Sequence, residues 1–265
     1  MKITVFTSNQ PRHLSLINDL ADIAQEVYAV IETTTVFPGE VEDFYKKSNV
    51  MQEYFKKVIE AEEKVFGKVG FTKNNVQSLV LKMGDLNLLN LEILAASLRS
   101  DYYIIFGSSY IKGALCNFLV ENKAINIHMG ISPYYRGSSC NFWALYDKNP
   151  EYVGATIHLL SQGLDSGDML FHAFPDVKDA DPFLLGMRAV KSAHKGLVRY
   201  LKDKHLNDYD PQKQDKSLEI RYSRNKEFND LVAQDYLDHM PSKEFILQKI
   251  KQRNMGRFLR PFIDR

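Results

Sequence analysis

The sequence predicts an α/β fold built on a mostly parallel sheet. Residues 3–7 form a short apolar, β-branched run, which is typical of a buried strand. A helical pattern through Leu14, Ile17 and Leu20 follows, and residues 27–31 again have the composition of a strand. A strand, a helix and a second strand in this order open a βαβ unit, in which the two strands are parallel.

The rest of the chain continues this alternation. We predict further strands at 78–81, 102–106, 124–128, 152–160 and 169–174, of which the last two form a hairpin. We predict helices at 40–66, 87–98, 111–119, 141–146 and 181–201, the last with Asp179 or Asp181 as its N-cap. A charged linker is expected at 202–216, followed by a strand at 219–222 and helices at 226–237 and 243–255. We therefore expect a large domain at 1–205 and a C-terminal extension at 206–265.

The composition indicates an ordinary globular protein, because 45% of the 265 residues are hydrophobic and 25% are charged. The formal net charge of +1 provides no global basic field, so a nucleic-acid partner is not expected. No apolar run reaches membrane-spanning length, and the N-terminal segment has a strand pattern without the features of a signal peptide. We therefore expect a cytoplasmic protein with no membrane partner.

The cysteines and histidines do not indicate a metal site. Cys116 and Cys140 are too few for a disulfide framework or a four-cysteine zinc site, and we expect both to be buried as small apolar residues. The histidines, including His128, His158 and His172, lack the i, i+4 spacing and the cysteine or carboxylate partners of zinc sites. We therefore expect that the protein needs no metal.

Two polar residues with catalytic potential lie at the end of the predicted strand 124–128. Open α/β sheets place their functional sites outside the carboxyl ends of strands. Asn126 and His128 are two residues apart, so in an extended chain they project to the same face. An amide that donates a hydrogen bond and an imidazole that donates one, or moves a proton, suit a developing negative charge.

Asp165 is the candidate partner of this imidazole. A carboxylate can fix the tautomer of a histidine and raise its pKa. Gly163 and Gly167 flank Asp165 and permit an unusual backbone path towards the site. Taken singly, however, a histidine at a strand end is more often structural, and an aspartate between glycines is more often a turn residue.

Two separated motifs together resemble the folate-dependent formyltransferase family, which includes glycinamide ribonucleotide formyltransferase, methionyl-tRNA formyltransferase and the sugar-nucleotide N-formyltransferases. The family pattern is Asn-x-His, a loop of the Leu-Pro-x-Tyr-Arg-Gly kind, and then Leu-Asp-x-Gly. This chain has NIHMGISPYYRG from Asn126 and GLDSGDML from Gly163, with Ser132 where the family usually has leucine. The resemblance covers about residues 1–200 and implies a Rossmann-like formyltransferase core as the catalytic domain.

The resemblance also implies roles for individual residues. Asn126 and His128 would stabilise the tetrahedral intermediate formed when an amine attacks the formyl carbon, while Asp165 would hold His128 and help to take the proton from the amine. The formyl donor would be 10-formyltetrahydrofolate. Its pterin would be held largely by backbone groups at the positions that match Phe106, Gly107, Ser108, Gln162, Gly163 and Leu164.

The loop after the first strand faces the acceptor in this family. Its residues Ser8, Asn9 and Gln10 are therefore candidate substrate contacts. Arg12 is the candidate partner for a phosphate or diphosphate, or it is a surface arginine at a helix start. Arg136, in the loop after His128, either holds that loop or touches the substrate.

Three nearby residues are expected to have other roles. Trp143 is predicted to belong to the core-facing side of its helix, and His158 is predicted to be structural. Asp168 is a possible rival to Asp165, but the Leu-Asp-x-Gly match favours Asp165 as the catalytic residue.

The C-terminal segment bears on the identity of the acceptor. About 55 residues follow Asp210, with twelve Lys and Arg against eight Asp and Glu. A methionyl-tRNA formyltransferase would be expected to carry a larger C-terminal β-barrel for tRNA, and a glycinamide ribonucleotide enzyme would be expected to carry a glycine-rich first loop and no extension. A short extension is similar to the sugar-nucleotide N-formyltransferases, in which it often serves dimer formation.

We therefore expect a homodimeric enzyme that formylates a nucleotide-linked amino sugar for a surface polysaccharide, such as the O-antigen of lipopolysaccharide. Formylation of methionyl-tRNA or of another small amine is the alternative. A non-catalytic module that binds folate or a nucleotide is a third hypothesis, and the presence of Asn126, His128 and Asp165 speaks against it.

Overall fold

The computed structural model describes residues 1–35, 48–163, 165–177, 180–203 and 210–264. The strands in these ranges are β1 (Lys2–Ser8), β2 (Glu26–Thr33), β3 (Val76–Lys82), β4 (Tyr102–Phe106), β5 (Ile125–His128), β6 (Tyr135–Gly137), β7 (Ala155–Leu159), β8 (Met169–Phe174), β9 (Arg221–Ser223) and β10 (Phe262–Ile263). The helices are α1 (Pro11–Ala21), α2 (Asn49–Phe66), α3 (Gly113–Glu121), α4 (Cys140–Tyr146), α5 (Pro182–Lys202), α6 (Asp230–Asp238) and α7 (Lys243–Lys251).

Eight strands form one sheet in the order β10-β8-β7-β5-β4-β1-β2-β3. Neighbouring strands in the series β5, β4, β1, β2 and β3 pair in parallel, and β10 is parallel to β8. β7 is antiparallel to both β5 and β8, so β7 and β8 form the predicted hairpin. The predicted α/β fold with a mostly parallel sheet is confirmed.

The central strands feed two apolar layers on opposite faces of the sheet. Ile3 and Val5 pack in one layer with α1 and α5, whereas Phe6, Tyr103 and Ile105 pack in another with α3. Neighbouring side chains of a strand point to opposite faces, which is why β1 contributes to both layers. With both faces covered by helices, the strands are almost continuously apolar, as in other parallel sheets.

Residues 210–264 pack against the preceding part of the chain through strand pairing and aromatic contacts. β9 pairs in parallel with β6, and β10 joins the main sheet beside β8. Tyr236 of α6 contacts the rings of Tyr54 in α2 and Phe142 in α4. The predicted boundary between residues 205 and 206 falls outside the described residues, but the described part of the extension shares the sheet and the core.

The predicted helix at 87–98 is wrong. Its place is taken by three short 3-10 turns at Asp85–Leu88, Leu91–Leu94 and Ser97–Arg99. The backbone of Asn90 is extended, and its side chain accepts a hydrogen bond from the Glu92 amide at 3.1 Å. Asparagine side chains compete in this way with the hydrogen bonds of a helix, so the leucine spacing in this segment did not reflect a helical face.

Helix boundaries follow local capping interactions. α2 begins after Ser48, whose hydroxyl accepts from the Met51 amide, and the predicted helical residues 40–47 lie outside the described ranges. Asp181 caps α5 by accepting from two amides of its first turn, while Asp179 is not among the described residues. None of the helices in the described part of the chain is long and apolar enough to cross a membrane.

Candidate functional site

Asn126 and His128 lie on β5, next to the antiparallel strand β7. In the register of the two strands, Asn126 is opposite His158 and His128 is opposite Thr156. The alternation of β5 directs Asn126 and His128 to the same side, as predicted from their spacing. Because β5 is flanked by a parallel strand on one side and an antiparallel strand on the other, residues of β7 can also reach this place.

The structure brings Asn126, His128 and Asp165 together. His128 Nδ1 lies 3.2 Å from Asp165 Oδ2, and the two side chains are only 6% and 15% exposed. Asn126 Nδ2 donates a hydrogen bond to Asp165 Oδ1 at 3.3 Å. One carboxylate therefore contacts both the imidazole and the amide.

The electrostatics of the pair favour the charged form of both partners. Burial alone would lower the pKa of His128, but the adjacent carboxylate of Asp165 outweighs it and holds this pKa well above its usual value. Burial would raise the pKa of Asp165, but His128 holds this pKa well below its usual range. Both shifts thus favour an imidazolium paired with a carboxylate.

The backbone of Asp165 is held in an uncommon conformation. Its φ is +44°, in the left-handed region that few residues other than glycine adopt. Gly167 follows within the same turn, where a Cβ atom would lie 1.7 Å from the carbonyl oxygen of Leu159. The flanking glycine is therefore needed for the close approach of this turn to β7.

Gln214, from the C-terminal extension, holds this turn. Its Nε2 donates hydrogen bonds to the carbonyl oxygens of Asp165 at 2.8 Å and of Gly167 at 2.9 Å. The sequence analysis did not identify Gln214, because no local pattern connects residues 49 positions apart. The extension thus contributes directly to the position of Asp165.

His158, predicted to be structural, belongs to the same network. Its Nδ1 donates to the carbonyl oxygen of Leu159 at 2.7 Å, which leaves Nε2 as an acceptor. Asn126 Nδ2 donates to that Nε2 at 3.0 Å. His158 therefore fixes which way the Asn126 amide faces, and its place among the apolar residues of a buried strand was the one available sign of such a role.

The Nε2 side of His128 is enclosed by the loop that follows β5. The carbonyl oxygen of Tyr135 lies 3.4 Å from Nε2, and Cys140 Sγ lies 3.5 Å from it. A Cβ atom at Gly130 would lie 2.8 Å from the same nitrogen. Both cysteines are buried, as predicted, but the contact of Cys140 with His128 was not foreseen.

Arg136 holds the loop. Its Nη1 atom is 2.8 Å from Glu219 Oε2, and its guanidinium lies over the Tyr222 ring at 5.8 Å from the centroid. Gly137 approaches the extension so closely that a Cβ atom there would lie 2.0 Å from the Ser223 carbonyl oxygen. Of the two roles considered for Arg136, the contacts match loop anchoring.

The two segments expected to hold the donor lie next to each other. Tyr110, shortly after β4, donates from its hydroxyl to the carbonyl oxygen of Gln162 at 2.7 Å. Gly107 has a φ of +76°, and a Cβ atom there would lie 2.4 Å from His13 Nε2, so only glycine fits this place. Phe106 is buried, whereas Gln162 and Gly163 are exposed. Ser108 is partly buried. Leu164 lies outside the residues that the structure describes.

The side chains of the first loop are engaged with neighbouring residues. Ser8 donates to the Glu32 carbonyl oxygen, and both Asn9 and Gln10 contact Thr34. Arg12 Nη1 lies 2.9 Å from Glu62 Oε1, and Glu62 is buried. The charge of Arg12 is therefore balanced by Glu62.

The other candidates have the following places. Trp143, in α4, is buried in the hydrophobic core, as predicted. The guanidinium of Arg221 lies 3.7 Å from the Trp143 ring centroid. Asp168 is partly buried, and its carbonyl oxygen accepts from the Leu159 amide. Within the described part of the chain, no group of three or more His, Cys, Asp or Glu side chains is arranged to hold a metal ion.

Comparison with known proteins adds the family. The family model of formyl transferases matches residues 1–201. The chain belongs to the formyl transferase family. Among curated relatives, methionyl-tRNA formyltransferase from Finegoldia magna is 31% identical over 122 residues, which cover 43% of this chain and 38% of the relative. A methionyl-tRNA formyltransferase from Anaeromyxobacter sp. is 32% identical over 91 residues, covering 33% of this chain and 29% of the relative. The match therefore spans well under half of these relatives.

Solved structures share the fold. A 4-N formyltransferase from Francisella tularensis aligns with a TM-score of 0.52 and 16% identity, covering 94% of this chain and 86% of the other. A sugar N-formyltransferase from Shewanella sp. gives 0.51 and 18%, covering 94% and 87%. An N-formyltransferase from Helicobacter canadensis, in complex with folinic acid and dTDP-3-aminofucose, gives 0.52 and 13%, covering 86% and 73%. At these identities the likeness concerns the fold alone.

Proposed function

We propose that this formyl transferase family member transfers a formyl group from 10-formyltetrahydrofolate to the amine of a nucleotide-linked amino sugar. The observation that carries the proposal is the buried contact of Asp165 with both His128 and Asn126 at the end of β5. A bare α/β domain has no need of a buried imidazolium–carboxylate pair beside a primary amide, since burying two charges is costly.

Each side chain has a distinct task in formyl transfer. The reaction forms a bond between the acceptor nitrogen and the formyl carbon and breaks the bond between that carbon and N10 of the folate. Negative charge develops on the formyl oxygen, where the positive charge of His128 stabilises it. Asn126 Nδ2 adds a hydrogen bond once it exchanges its 3.3 Å contact with Asp165 for one to that oxygen. The acceptor nitrogen loses one proton and N10 gains one, so the reaction needs groups that move a proton at the site.

Asp165 is the group proposed to take the proton from the acceptor amine. Next to the imidazolium its basicity is low, because His128 lowers its pKa. Asp165 takes the proton from the acceptor nitrogen as the tetrahedral intermediate forms and gives it to N10 as the bond between N10 and the formyl carbon breaks, so the site ends in the state in which it began. His128 keeps its Nδ1 proton on the Asp165 carboxylate, at 3.2 Å, and supplies positive charge beside the formyl oxygen.

The segments beside the site fit a folate donor. Residues 106–110 and 161–163 lie against each other through the contact between Tyr110 and Gln162, and both segments border the turn that carries Asp165. Gly107 is exposed, and the His13 ring packs against the side on which a Cβ atom would lie, so the opposite face is the one proposed to receive a flat ring. Phe106, Gly107, Ser108, Gln162, Gly163 and Leu164 are therefore the proposed donor contacts, and when bound the folate supplies the formyl group.

The choice of acceptor rests on the C-terminal extension. Its described residues contact the preceding part of the chain through strand pairing of β9 and β10 and through the hydrogen bonds of Gln214. The net charge of the whole chain is +1, which gives little attraction for a polyanion such as tRNA. The Helicobacter canadensis protein of the same fold binds dTDP-3-aminofucose, and a nucleotide-linked amino sugar is the acceptor class proposed here. Ser8, Asn9, Gln10 and Arg12 are the proposed contacts on its side of the site.

The proposal is tested by assaying formyl transfer from 10-formyltetrahydrofolate to a panel of UDP- and dTDP-linked amino sugars and to initiator methionyl-tRNA. We expect turnover with at least one amino-sugar nucleotide, none with the tRNA, and competition by the matching nucleoside diphosphate. Efficient formylation of the tRNA and of no sugar nucleotide would overturn the acceptor. Absence of transfer to any amine, with folate still bound, would favour a non-catalytic folate-binding module.

A further inference from the structure

A polar cavity lies between the end of α7 and the turn at Pro150–Tyr152. It has a volume of about 210 Å³. Three cations line it, Lys249, Arg253 and Arg257, against the single carboxylate of Glu151. The cavity shares none of its lining residues with the network of Asn126, His128 and Asp165, and its charge excess is positive.

Arg253 is the unusual member of this set. Its guanidinium lies 4.3 Å from the centroid of the Phe174 ring. Its Nε and Nη2 atoms are buried and have no hydrogen-bond partner among the described residues. Burial lowers the pKa of Arg253 to about 10, so the group is still charged at neutral pH. A buried charge with unpaired donors is strongly unfavourable, and such groups normally have a partner.

Within the described part of the chain, Glu151 has an unsatisfied acceptor, whereas Arg253 has unsatisfied donors. Its Oε2 atom is buried and also has no hydrogen-bond partner among the described residues, while Oε1 lies 3.9 Å from Lys249 Nζ. A ligand that suits this lining carries negative charge for the three cations and a hydrogen-bond donor for Glu151. A carboxylate ligand only accepts and water carries no charge, whereas a phosphate with one protonated oxygen is anionic and can donate.

We propose that this cavity is a binding site for a phosphate group, held by Arg253 and hydrogen-bonded to Glu151, with Lys249 and Arg257 adding positive charge. The volume of about 210 Å³ is below the roughly 300–1,000 Å³ of pockets for drug-sized ligands, so it suits one phosphate group and not a nucleotide. The site is independent of the formyl-transfer proposal.

The cavity is connected to the loop that encloses His128. Tyr152 lines the cavity, and its ring centroid is 4.9 Å from that of Tyr134. The Tyr134 hydroxyl donates to the Arg257 carbonyl oxygen at 3.2 Å. Because Tyr134 precedes the residue whose carbonyl contacts His128, a bound phosphate stabilises the C-terminal extension against this loop.

The first test is calorimetric and thermal titration of the full chain with inorganic phosphate. We expect saturable binding to one site and a Tm that rises with phosphate concentration. Sulfate has no proton to donate to Glu151 at neutral pH, so it should bind at least several-fold more weakly. A Tm that does not respond to phosphate, or one that responds equally to sulfate, would overturn the proposed site.

Variants locate the site. Arg253→Met should reduce phosphate affinity at least tenfold and, by removing an unpaired buried charge, raise the Tm in phosphate-free buffer. Lys251→Met, at the exposed last residue of α7 and outside the cavity, should bind phosphate normally. Arg257→Ala gives a second variant with weakened binding if Arg253→Met does not fold. Unchanged phosphate binding in both cavity variants, or a lower phosphate-free Tm for Arg253→Met, contradicts the proposal.

A third arm separates free phosphate from the phosphates of a nucleotide. UDP and dTDP should bind Arg253→Met as tightly as the unmodified protein, because the nucleotide belongs to the formyl-transfer site. Inorganic phosphate should not displace them at concentrations that fill the cavity. Loss of nucleotide binding in Arg253→Met would show that the cavity is a part of the acceptor site and would overturn a separate phosphate site.

Discussion

The imidazole of His128 and the carboxylate of Asp165 form a buried pair, with Nδ1 and Oδ2 3.2 Å apart. The two residues come from different elements, the end of β5 and the turn before β8, and their contact is made possible by the left-handed backbone at Asp165. Each side chain favours the charged form of the other, so the pair places an acid, the His128 imidazolium, beside a base, the Asp165 carboxylate. The mechanism proposed above depends on this relationship.

Replacement of the carboxylate tests the pair most directly. Asp165→Asn should retain the fold and lower turnover by roughly 10² to 10⁴, the range for positioned acid–base and orienting groups. His128→Ala should lower turnover at least as much. Steady-state kinetics with the amino-sugar acceptor provides the measurement, with Asp168→Asn as the matched control on the same turn. A rate close to that of the unmodified enzyme in Asp165→Asn would remove the mechanism.

The pKa of His128 should depend on Asp165. In the native protein it lies well above its usual value because of the Asp165 carboxylate. In Asp165→Asn the raising charge is gone and burial remains, so the pKa of His128 should fall. Titration of the His128 ring nitrogens by NMR measures both values. An unchanged His128 pKa in Asp165→Asn would show that the pair is not ionised.

The same shifts predict how stability and activity depend on pH. The raised pKa of His128 contributes stability that is complete below its unfolded pKa, near about 6.5, and is lost as pH rises through the folded pKa. The lowered pKa of Asp165 contributes stability that is present above its unfolded pKa, near about 3.9, and is lost as pH falls through the folded pKa. The Tm difference between the native protein and Asp165→Asn should therefore be largest in the range between these two limits. Activity should also require an unprotonated acceptor amine, so we expect it to peak near or above neutral pH and to fall where His128 deprotonates.

Gln214 is expected to position Asp165 without touching the substrate. Gln214→Ala removes the two hydrogen bonds to the turn and should lower kcat about tenfold or more, since small displacements of a catalytic group are costly. KM for both substrates should change little. Gln214→Glu has the same size but cannot donate when ionised, so it should be as impaired as the alanine variant.

Lys213→Ala is the matched control, because Lys213 is exposed and adjacent. If Gln214 only filled space, Gln214→Glu would behave like the native enzyme. A rise in KM without a change in kcat would instead indicate a substrate contact.

The prediction from sequence succeeded where local periodicity determines which way side chains point. The period of two along a strand placed Asn126 and His128 on one side, and the apolar runs at 3–7 and 102–106 marked β1 and β4. Asp165 could be added because a motif links it to the loop after β5. These features depend on residues that are close in sequence or on a motif of fixed order.

The parts that sequence reasoning missed depend on long-range pairing. His158 meets Asn126 only because β7 lies beside β5 in a particular antiparallel register, which no local pattern shows. Gln214 reaches Asp165 from the extension, and Glu62 reaches Arg12 from α2, across 49 and 50 positions of sequence. In the predicted helix 87–98, the Asn90 side chain accepts from the Glu92 amide at the start of a separate short turn, and the Asn87 side chain accepts from the distant Lys112 amide.

The ion pair between Arg136 and Glu219 should stabilise the loop over His128. The Arg136 side chain is buried, at 11% exposure, and the Glu219 side chain is partly exposed, at 30%. Arg136→Met should lower the free energy of unfolding by about 1–3 kcal/mol, the range for a lost hydrogen bond to a charged group. Arg136→Met with Glu219→Met should recover part of this loss, because no charge remains unpaired. Urea unfolding of the two single variants and the double variant provides the cycle, and strictly additive effects would contradict the pairing.

Arg12 and Glu62 decide whether the first loop recognises a diphosphate. Arg12→Ala should raise KM for the sugar nucleotide more than it changes kcat, because binding is lost equally from ground and transition states. The same substitution also leaves the buried Glu62 without its counter-charge, since only the hydrogen bond from the amide of residue 12 remains. A raised KM in the single variant could therefore come from a disturbed loop.

The double variant Arg12→Ala with Glu62→Gln separates these causes. Removing both charges should restore most of the stability lost in Arg12→Ala, as judged by Tm, yet KM for the sugar nucleotide should stay raised if Arg12 binds the diphosphate. Glu62→Gln alone frees the guanidinium from its carboxylate, so it should lower this KM and tighten binding of the nucleoside diphosphate. If KM returns to the native value in the double variant, Arg12 acts only through Glu62, and the diphosphate must be held by the backbone amides of residues 8–10 at the start of α1.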